Sequence, residues 1–178
     1  MKILSLYGPQ QAGKSEAAKV IAATPGWVRC SFADPLYAMM SALLGQDARQ
    51  IDKTQPLPQL CGKTLRYALQ RLGTEYGRGM IGDTIWLKAM EDRIHQAYRS
   101  GAEGVVIDDL RFTNEYLLLR SYTEAEIIRV GRPGVCCQSL NSHDSERDWV
   151  DFKWDHNFVN EGTVEQWQEF WVEKMKGY

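Results

Sequence analysis

Near the start of the chain, Gly8-Pro9-Gln10-Gln11-Ala12-Gly13-Lys14-Ser15 has the spacing G-x-x-x-x-G-K-[ST]. Each residue type in that pattern has a use toward an anionic phosphate. Glycines permit backbone angles closed to other residues, so successive N–H groups can turn inward around phosphate oxygens. A helix opening at the end of such a loop aims the positive end of its dipole at the same point. Lys14 is spaced to reach the β- and γ-phosphates of a nucleoside triphosphate, and the Ser15 hydroxyl to hold Mg²⁺. Gly8, Gln11, Ala12, Gly13, Lys14, Ser15 and Glu16 are therefore the expected ATP-binding residues.

A second chemical group closes the run Gly104-Val105-Val106-Ile107-Asp108-Asp109, which is apolar and then doubly acidic. A buried parallel strand delivers acidic groups at its carboxyl edge, where ligands of α/β sheets bind. Ser15, Asp108 and Asp109 are the expected metal ligands, with Mg²⁺ the implied cofactor and ATP the co-substrate. The competing use of either aspartate is to cap a helix after a core strand.

Such groups need elements to hold them. Residues 2–7 read as a short buried strand, and 16–23 as the helix that the loop opens. Residues 27–33 read as a second strand, and 34–44 as a helix with Asp34 at its cap, Pro35 in its first turn and Gly45 ending it. Residues 46–62, with Pro56 and Pro58, read as a surface excursion. Helical period returns over 63–72 and closes at Gly73 and the basic Arg78-Gly79, then resumes over 83–99 with Ile85, Trp86, Ala89, Met90, Ile94 and Ala97 inward. Strands at 104–109, 125–130 and 156–160, a helix at 113–122 and a final helix capped by Thr163 complete the pattern. Strands alternating with helices predict an α/β fold, three layers α/β/α around a mainly parallel sheet.

The whole chain sets limits on function. Its 178 residues predict one domain, 44% hydrophobic and 25% charged as in soluble globular proteins. A formal net charge of −2 and a pI of 5.9 provide no field favouring nucleic acid. No apolar run approaches the roughly 20 residues that span a bilayer, and the first strand starts without a signal peptide's apolar segment. Cys30, Cys61, Cys136 and Cys137 show no C-x-x-C pair and no histidine at zinc-ligand spacing, so reduced thiols and a cytoplasmic location are expected.

Several further segments together resemble one family. They are Phe32-Ala33-Asp34-Pro35-Leu36, Gly62-Lys63-Thr64 with Arg66, Leu72-Gly73-Thr74-Glu75 with Gly77-Arg78, Asp109-Leu110-Arg111-Phe112 with Asn114-Glu115, His143 with Ser145-Glu146, and Asn160 with Gly162-Thr163. In this order, over most of the chain, they are similar to the bacteriophage-type deoxynucleoside monophosphate kinases. The resemblance implies a P-loop kinase fold and transfer of the γ-phosphoryl of ATP to a (deoxy)nucleoside monophosphate. It also implies a host-cell cytoplasmic location if the protein is phage-encoded. The family has a single aspartate ahead of its arginine and phenylalanine; here Asp109 matches it and Asp108 is additional.

Phosphoryl transfer needs two anionic substrates held in line and the charge on the transferred group neutralised. Arginine suits this because its fork binds phosphate oxygens bidentately. Arg66 and Arg78 are the candidates for the acceptor's phosphate, Arg111 lies near the strand edge, and Arg132 and Arg147 belong to a lid. Lys14, Asp109, Arg111 and Arg132 form the expected catalytic set. Phe32 and Trp86 are candidates to stack on the acceptor base, although an aromatic on an apolar face also reads as core. Asp34, Glu75 and Glu115 are candidates to orient the acceptor, pair with arginines or bind a sugar hydroxyl. His143 reads as a lid residue, because an ionised phosphate acceptor needs no strong general base.

The expected organisation is thus one domain over residues 1–178, with the phosphate loop at 8–15, an acceptor-binding helical region at about 34–100 and a lid at about 132–148. Expected partners are small molecules, with neither nucleic acid nor membrane; the Trp-rich last helix reads either as core or as a homodimer seam. Two rival functions share the loop. One is a P-loop kinase of another metabolite, such as dephospho-coenzyme A, and the other a regulatory NTPase.

Overall fold

The computed structural model describes residues 1–135 and 152–178. In chain order its main elements are β1 (Lys2–Tyr7), α1 (Lys14–Ala23), β2 (Trp27–Cys30), α2 (Asp34–Leu44), β3 (Pro56–Leu57), β4 (Lys63–Thr64) and α3 (Leu65–Arg71). A π-helix (Leu72–Ile81) follows, then α4 (Ile85–Arg99), β5 (Gly104–Ile107), α5 (Thr113–Arg120), β6 (Ala125–Gly131), β7 (His156–Val159) and α6 (Val164–Met175). Contacts group the chain into two compact units, residues 1–31 with 92–178, and residues 32–91.

The first unit is built on a sheet of five strands in the order β2-β5-β1-β6-β7, every neighbouring pair parallel. Parallel strands need helical crossovers, so both faces of the sheet are covered. Period-2 alternation shows this directly. Leu4, Leu6, Val106, Ile128 and Val130 pack with Ala17, Ala18 and Ile21 of α1 and with Trp167, Trp171 and Met175 of α6. The intervening residues Ile3, Ser5, Val105, Ile107 and Ile127 are fully buried as well, so the opposite face is also sealed. The expected α/β class with its parallel central sheet is therefore the observed one. Trp167 and Trp171 belong to this core, the first of the two uses weighed for the last helix.

The second unit packs Tyr37 and Met40 of α2 against Ala48 and Leu65. The excursion after α2 holds two 3₁₀ turns and a two-residue antiparallel hairpin, β3 with β4. Thr64 caps α3 by accepting the Tyr67 N–H at 3.1 Å. Where sequence places a helix end at Gly73, the chain instead continues through ten residues of π-helix. Helices of this kind are rare and need outside support. Here the Trp86 indole N–H donates to the Gly73 carbonyl at 2.8 Å. A Cβ on Gly77 would lie 2.2 Å from the Trp86 ring, so only glycine leaves room for it. The i→i+5 bond from Gly82 to Gly77, 2.9 Å, ends the element.

Elsewhere the elements differ from expectation at their ends. β2 stops at Cys30 rather than at residue 33, and β5 stops at Ile107, which leaves both aspartates just beyond the strand. α6 starts where Thr163 predicts, with a reciprocal capping box between Thr163 and Gln166. Cys136, Cys137, His143, Ser145, Glu146 and Arg147, with most of the expected lid, lie outside the described residues.

Candidate active site

The loop between β1 and α1 is held in a shape that few sequences can take. Gly8 has φ 143° and Gly13 φ 104°, and Gln11 adopts φ 67° without being glycine. Non-glycine residues there carry strain, which concentrates at functional loops. A Cβ on Gly8 would sit 2.0 Å from the carbonyl oxygen of Val130 in β6, a backbone atom that cannot yield.

Four of the loop's carbonyls are taken by donors from the protein itself. Lys14 Nζ donates to Gly8 O at 2.8 Å and to Pro9 O at 2.7 Å. Asn160 Nδ2 donates to Ala12 O at 3.2 Å, and Trp167 Nε1 to Gly13 O at 3.0 Å. A trans peptide unit points its C=O and the next N–H in opposite directions. Fixing the Ala12 and Gly13 carbonyls therefore turns the N–H groups of Gly13 and Lys14 away from Asn160 and Trp167, as an anion-binding nest requires. Ala12 is buried, and its N–H closes a turn onto Pro9 O at 3.3 Å. Glu16, in the first turn of α1, accepts from Lys19 and from Gln168 of α6. The Lys19 bond leads in holding its carboxyl below the usual glutamate range.

Asp108 and Asp109 reach this loop's neighbourhood because β5 lies between β1 and β2. Ser15 Oγ donates to Asp108 Oδ2 at 3.0 Å. Arg29 in β2 clasps the same carboxylate with both arms of its fork, Nε to Oδ1 at 3.0 Å and NH2 to Oδ2 at 2.6 Å. Asp109 is held separately, by Ser31 Oγ at 2.6 Å. The family motif points to Asp109, yet Asp108 is the carboxylate joined to Ser15. Arg29, Ser31 and Trp167 do not stand out in the sequence reading. Sequence held no signal for Arg29: it is an exposed residue of the edge strand β2, and only the strand order brings it beside Asp108.

After the strand, Arg111 is exposed, while Glu115 is buried with Oε2 accepting the N–H groups of Arg111 (2.9 Å) and Phe112 (3.1 Å). Glu115 thereby works as the N3 member of a cap on α5. Arg132 is exposed just after β6.

Within the second unit, the expected acceptor residues fall into groups. Asp34 pairs with Arg49, whose guanidinium lies 4.2 Å from the Tyr37 ring centroid. Glu75 and Arg78 sit on the π-helix, Glu75 paired with Arg71. Arg66 is exposed on the first turn of α3 and its backbone N–H bonds to Lys53 O at 3.1 Å. Phe32 and Trp86 are both buried, and Trp86 is spent on Gly73 and Gly77.

A parallel α/β fold whose first strand runs into a glycine loop, with a hydroxyl and a carboxylate joined at its end, is the frame on which kinases and other nucleotide-handling proteins are built. Comparison with known proteins narrows this class. The family model for deoxynucleotide monophosphate kinase matches residues 58–170, and the chain belongs to that family. A protein of Acanthamoeba polyphaga mimivirus, named by inference a deoxynucleotide monophosphate kinase, is 28% identical over 93% of this chain and 92% of its own length. The solved structure of a sugar kinase from Janibacter sp. HTCC2649 superposes with a TM-score of 0.49 at 12% identity, covering 100% of this chain and 94% of that one.

Proposed function

We propose that the protein transfers the γ-phosphoryl group of ATP to a (deoxy)nucleoside monophosphate. An oxygen of the acceptor's phosphate bonds to the γ-phosphorus, and ADP leaves with the electrons of the broken bond. The observation that carries this reading is the Ser15 to Asp108 hydrogen bond, which ties the start of α1 to the carboxyl end of the neighbouring strand. Family membership supports the choice of acceptor.

The residues present fit Mg²⁺. Ser15 offers a hydroxyl oxygen whose proton is committed to Asp108, so its lone pairs remain for a cation. Among the described residues there is no group of three or more His, Cys, Asp or Glu side chains that could cage a metal. Mg²⁺ keeps waters and binds through one or two protein oxygens plus substrate phosphates, and the Ser15 hydroxyl is such an oxygen. When bound, it would offset the negative charge of the phosphate oxygens. The loop's N–H groups and Lys14, whose ammonium also donates to Gly8 O and Pro9 O, would hold the triphosphate. We assign Arg66 and Arg78 to the acceptor's phosphate, and Arg111 and Arg132 to the transferred group. Asp34 and Glu75 act on the acceptor side through the arginines they pair with.

A coupled assay for ADP, run with Mg-ATP against each common deoxy- and ribonucleoside monophosphate and a blank, tests this. ADP that depends on particular monophosphates, with the matching diphosphate formed, is the expected result. Equal release in every well would overturn it in favour of an NTPase, and silence throughout in favour of another acceptor.

A further inference from the structure

We infer that Arg29 is a positioning residue that cancels the charge of Asp108, so that the loop takes up its divalent cation only together with the triphosphate. The inference rests on reading the loop as the ATP site. It starts from how completely Asp108 is used. Oδ1 accepts from Arg29 Nε, and Oδ2 accepts from both Arg29 NH2 and Ser15 Oγ. The carboxylate side chain is 3% exposed against 36% for Arg29, so solvent reaches the guanidinium and not the acid.

Two arrangements would suit a carboxylate near a metal. In one the acid ligates the ion directly, and then a fork on both of its oxygens is an obstacle. In the other the acid orients a ligand, and a fork that fixes its plane is an asset. The geometry matches the second, because the Ser15 proton points at Asp108 and its lone pairs are left for the ion. Charge adds to the argument. With Asp108 answered by Arg29 and the Asp109 carboxylate turned to the Ser31 hydroxyl, the loop itself presents the Ser15 hydroxyl, backbone N–H groups and the Lys14 ammonium. None of these draws a strongly hydrated divalent cation out of water by itself. The negative charge that does so arrives with the triphosphate, and the Arg29–Asp108 ion pair persists through binding.

The test is uptake of Mn²⁺ by the nucleotide-free protein, followed by the electron paramagnetic resonance signal of the free ion. Wild type, Arg29→Lys and Arg29→Gln are compared, with binding of ADP plus Mn²⁺ measured on the same samples. Removing one positive charge a few ångströms from a divalent ion should tighten its binding about tenfold or more. Arg29→Gln should thus gain free-Mn²⁺ binding that wild type and Arg29→Lys lack. Equal Mn²⁺ affinity in wild type and Arg29→Gln would overturn the inference. If Arg29→Gln does not fold, the Arg29 Nε–H nuclear magnetic resonance signal of the wild type decides. It should keep its position when ADP and Mg²⁺ are added, and a large shift would show that the ion displaces Arg29. Wild type that binds no ADP at all would defeat the ATP reading first. Normal ADP binding with unchanged Mn²⁺ affinity would defeat only the role of Arg29.

Discussion

Trp167, on the last helix, donates its indole N–H to the carbonyl of Gly13, 154 positions earlier in the chain, at 3.0 Å. The same ring stacks on Phe170 and meets Trp171 edge-on, so one face of α6 both fills the core and braces the loop. Trp167→Phe keeps an aromatic but leaves the Gly13 carbonyl without that donor. Denaturant unfolding should show a loss of about 1–3 kcal/mol, the cost of stranding a buried acceptor plus a smaller ring. Calorimetry should show weaker ADP binding by a larger factor than in Phe170→Leu, which trims the same cluster and spares the bond. Equal effects would show that the bond does not shape the loop.

Asp108 and Asp109 are adjacent in sequence and differ in partners, Arg29 and Ser15 for the first and Ser31 for the second. Asp108→Asn keeps an oxygen for Ser15 but breaks the ion pair. Breaking a fully buried pair costs about 3–5 kcal/mol, and the partial exposure of Arg29 places this variant at or below the low end. The Mg²⁺ concentration needed for half-maximal turnover should rise more in Asp108→Asn than in Asp109→Asn. Measuring turnover against free Mg²⁺ at saturating ATP gives the ranking, and the opposite order would return the role to Asp109.

Lys14 spends two of its donors on Gly8 O and Pro9 O. Lys14→Ala should lower kcat/KM by at least about 10²-fold, the scale of losing one preorganised charge contact in a transition state. Circular dichroism should be unchanged, because the core face of α1 is made by Ala17, Ala18 and Ile21. Near-normal turnover in the folded variant would remove the loop from the reaction.

Gly77 and Gly79 lie two residues apart on the π-helix and should respond oppositely to alanine. A Cβ at 77 meets the Trp86 ring at 2.2 Å, whereas the nearest atom to one at 79 is Thr74 O at 3.5 Å. Gly77→Ala forces the ring off Gly73 and should cost at least about 1–3 kcal/mol, as overpacked sites do. Gly79→Ala should be neutral or stabilise by up to about 1 kcal/mol, through the lower entropy of its unfolded chain. Thermal melts of the two variants make the comparison.

These contrasts also show what the sequence carries. The glycine loop, the apolar run into Asp108, the inward face of α4 and the Thr163 cap are local patterns, and each appears where its spacing predicts, except that Ile85 and Ala89 of that face are only half-buried while Trp86, Met90, Ile94 and Ala97 are buried. Pairings set by sheet order are not local. β2 meets β5 because the order is β2-β5-β1, and this brings Arg29 to Asp108 across 79 residues. The π-helix was hidden for a related reason. Gly73 and Gly79 read as helix breakers until the indole bonded to the Gly73 carbonyl and packed on Gly77 is in view.

Tyr178 gives the protein a sensitivity to alkaline pH. Its hydroxyl donates to Glu126 Oε2 at 2.6 Å, the oxygen that also faces His156 Nε2 at 3.1 Å. Burial first, and then the Glu126 carboxylate, push the phenol well above its ordinary 10.0. A phenol that holds its proton more tightly when folded contributes stability that is complete below the unfolded value. That contribution drains away as the pH rises from there toward the folded one. The melting temperature of wild type should therefore fall more steeply between pH 10 and about 12 than that of Tyr178→Phe. The phenylalanine retains the edge-on contact with Trp27, 6.0 Å between centroids, so the two proteins differ mainly in the ionisable group. Parallel melting curves for the two across this range would mean that Tyr178 titrates alike in the folded and unfolded chain.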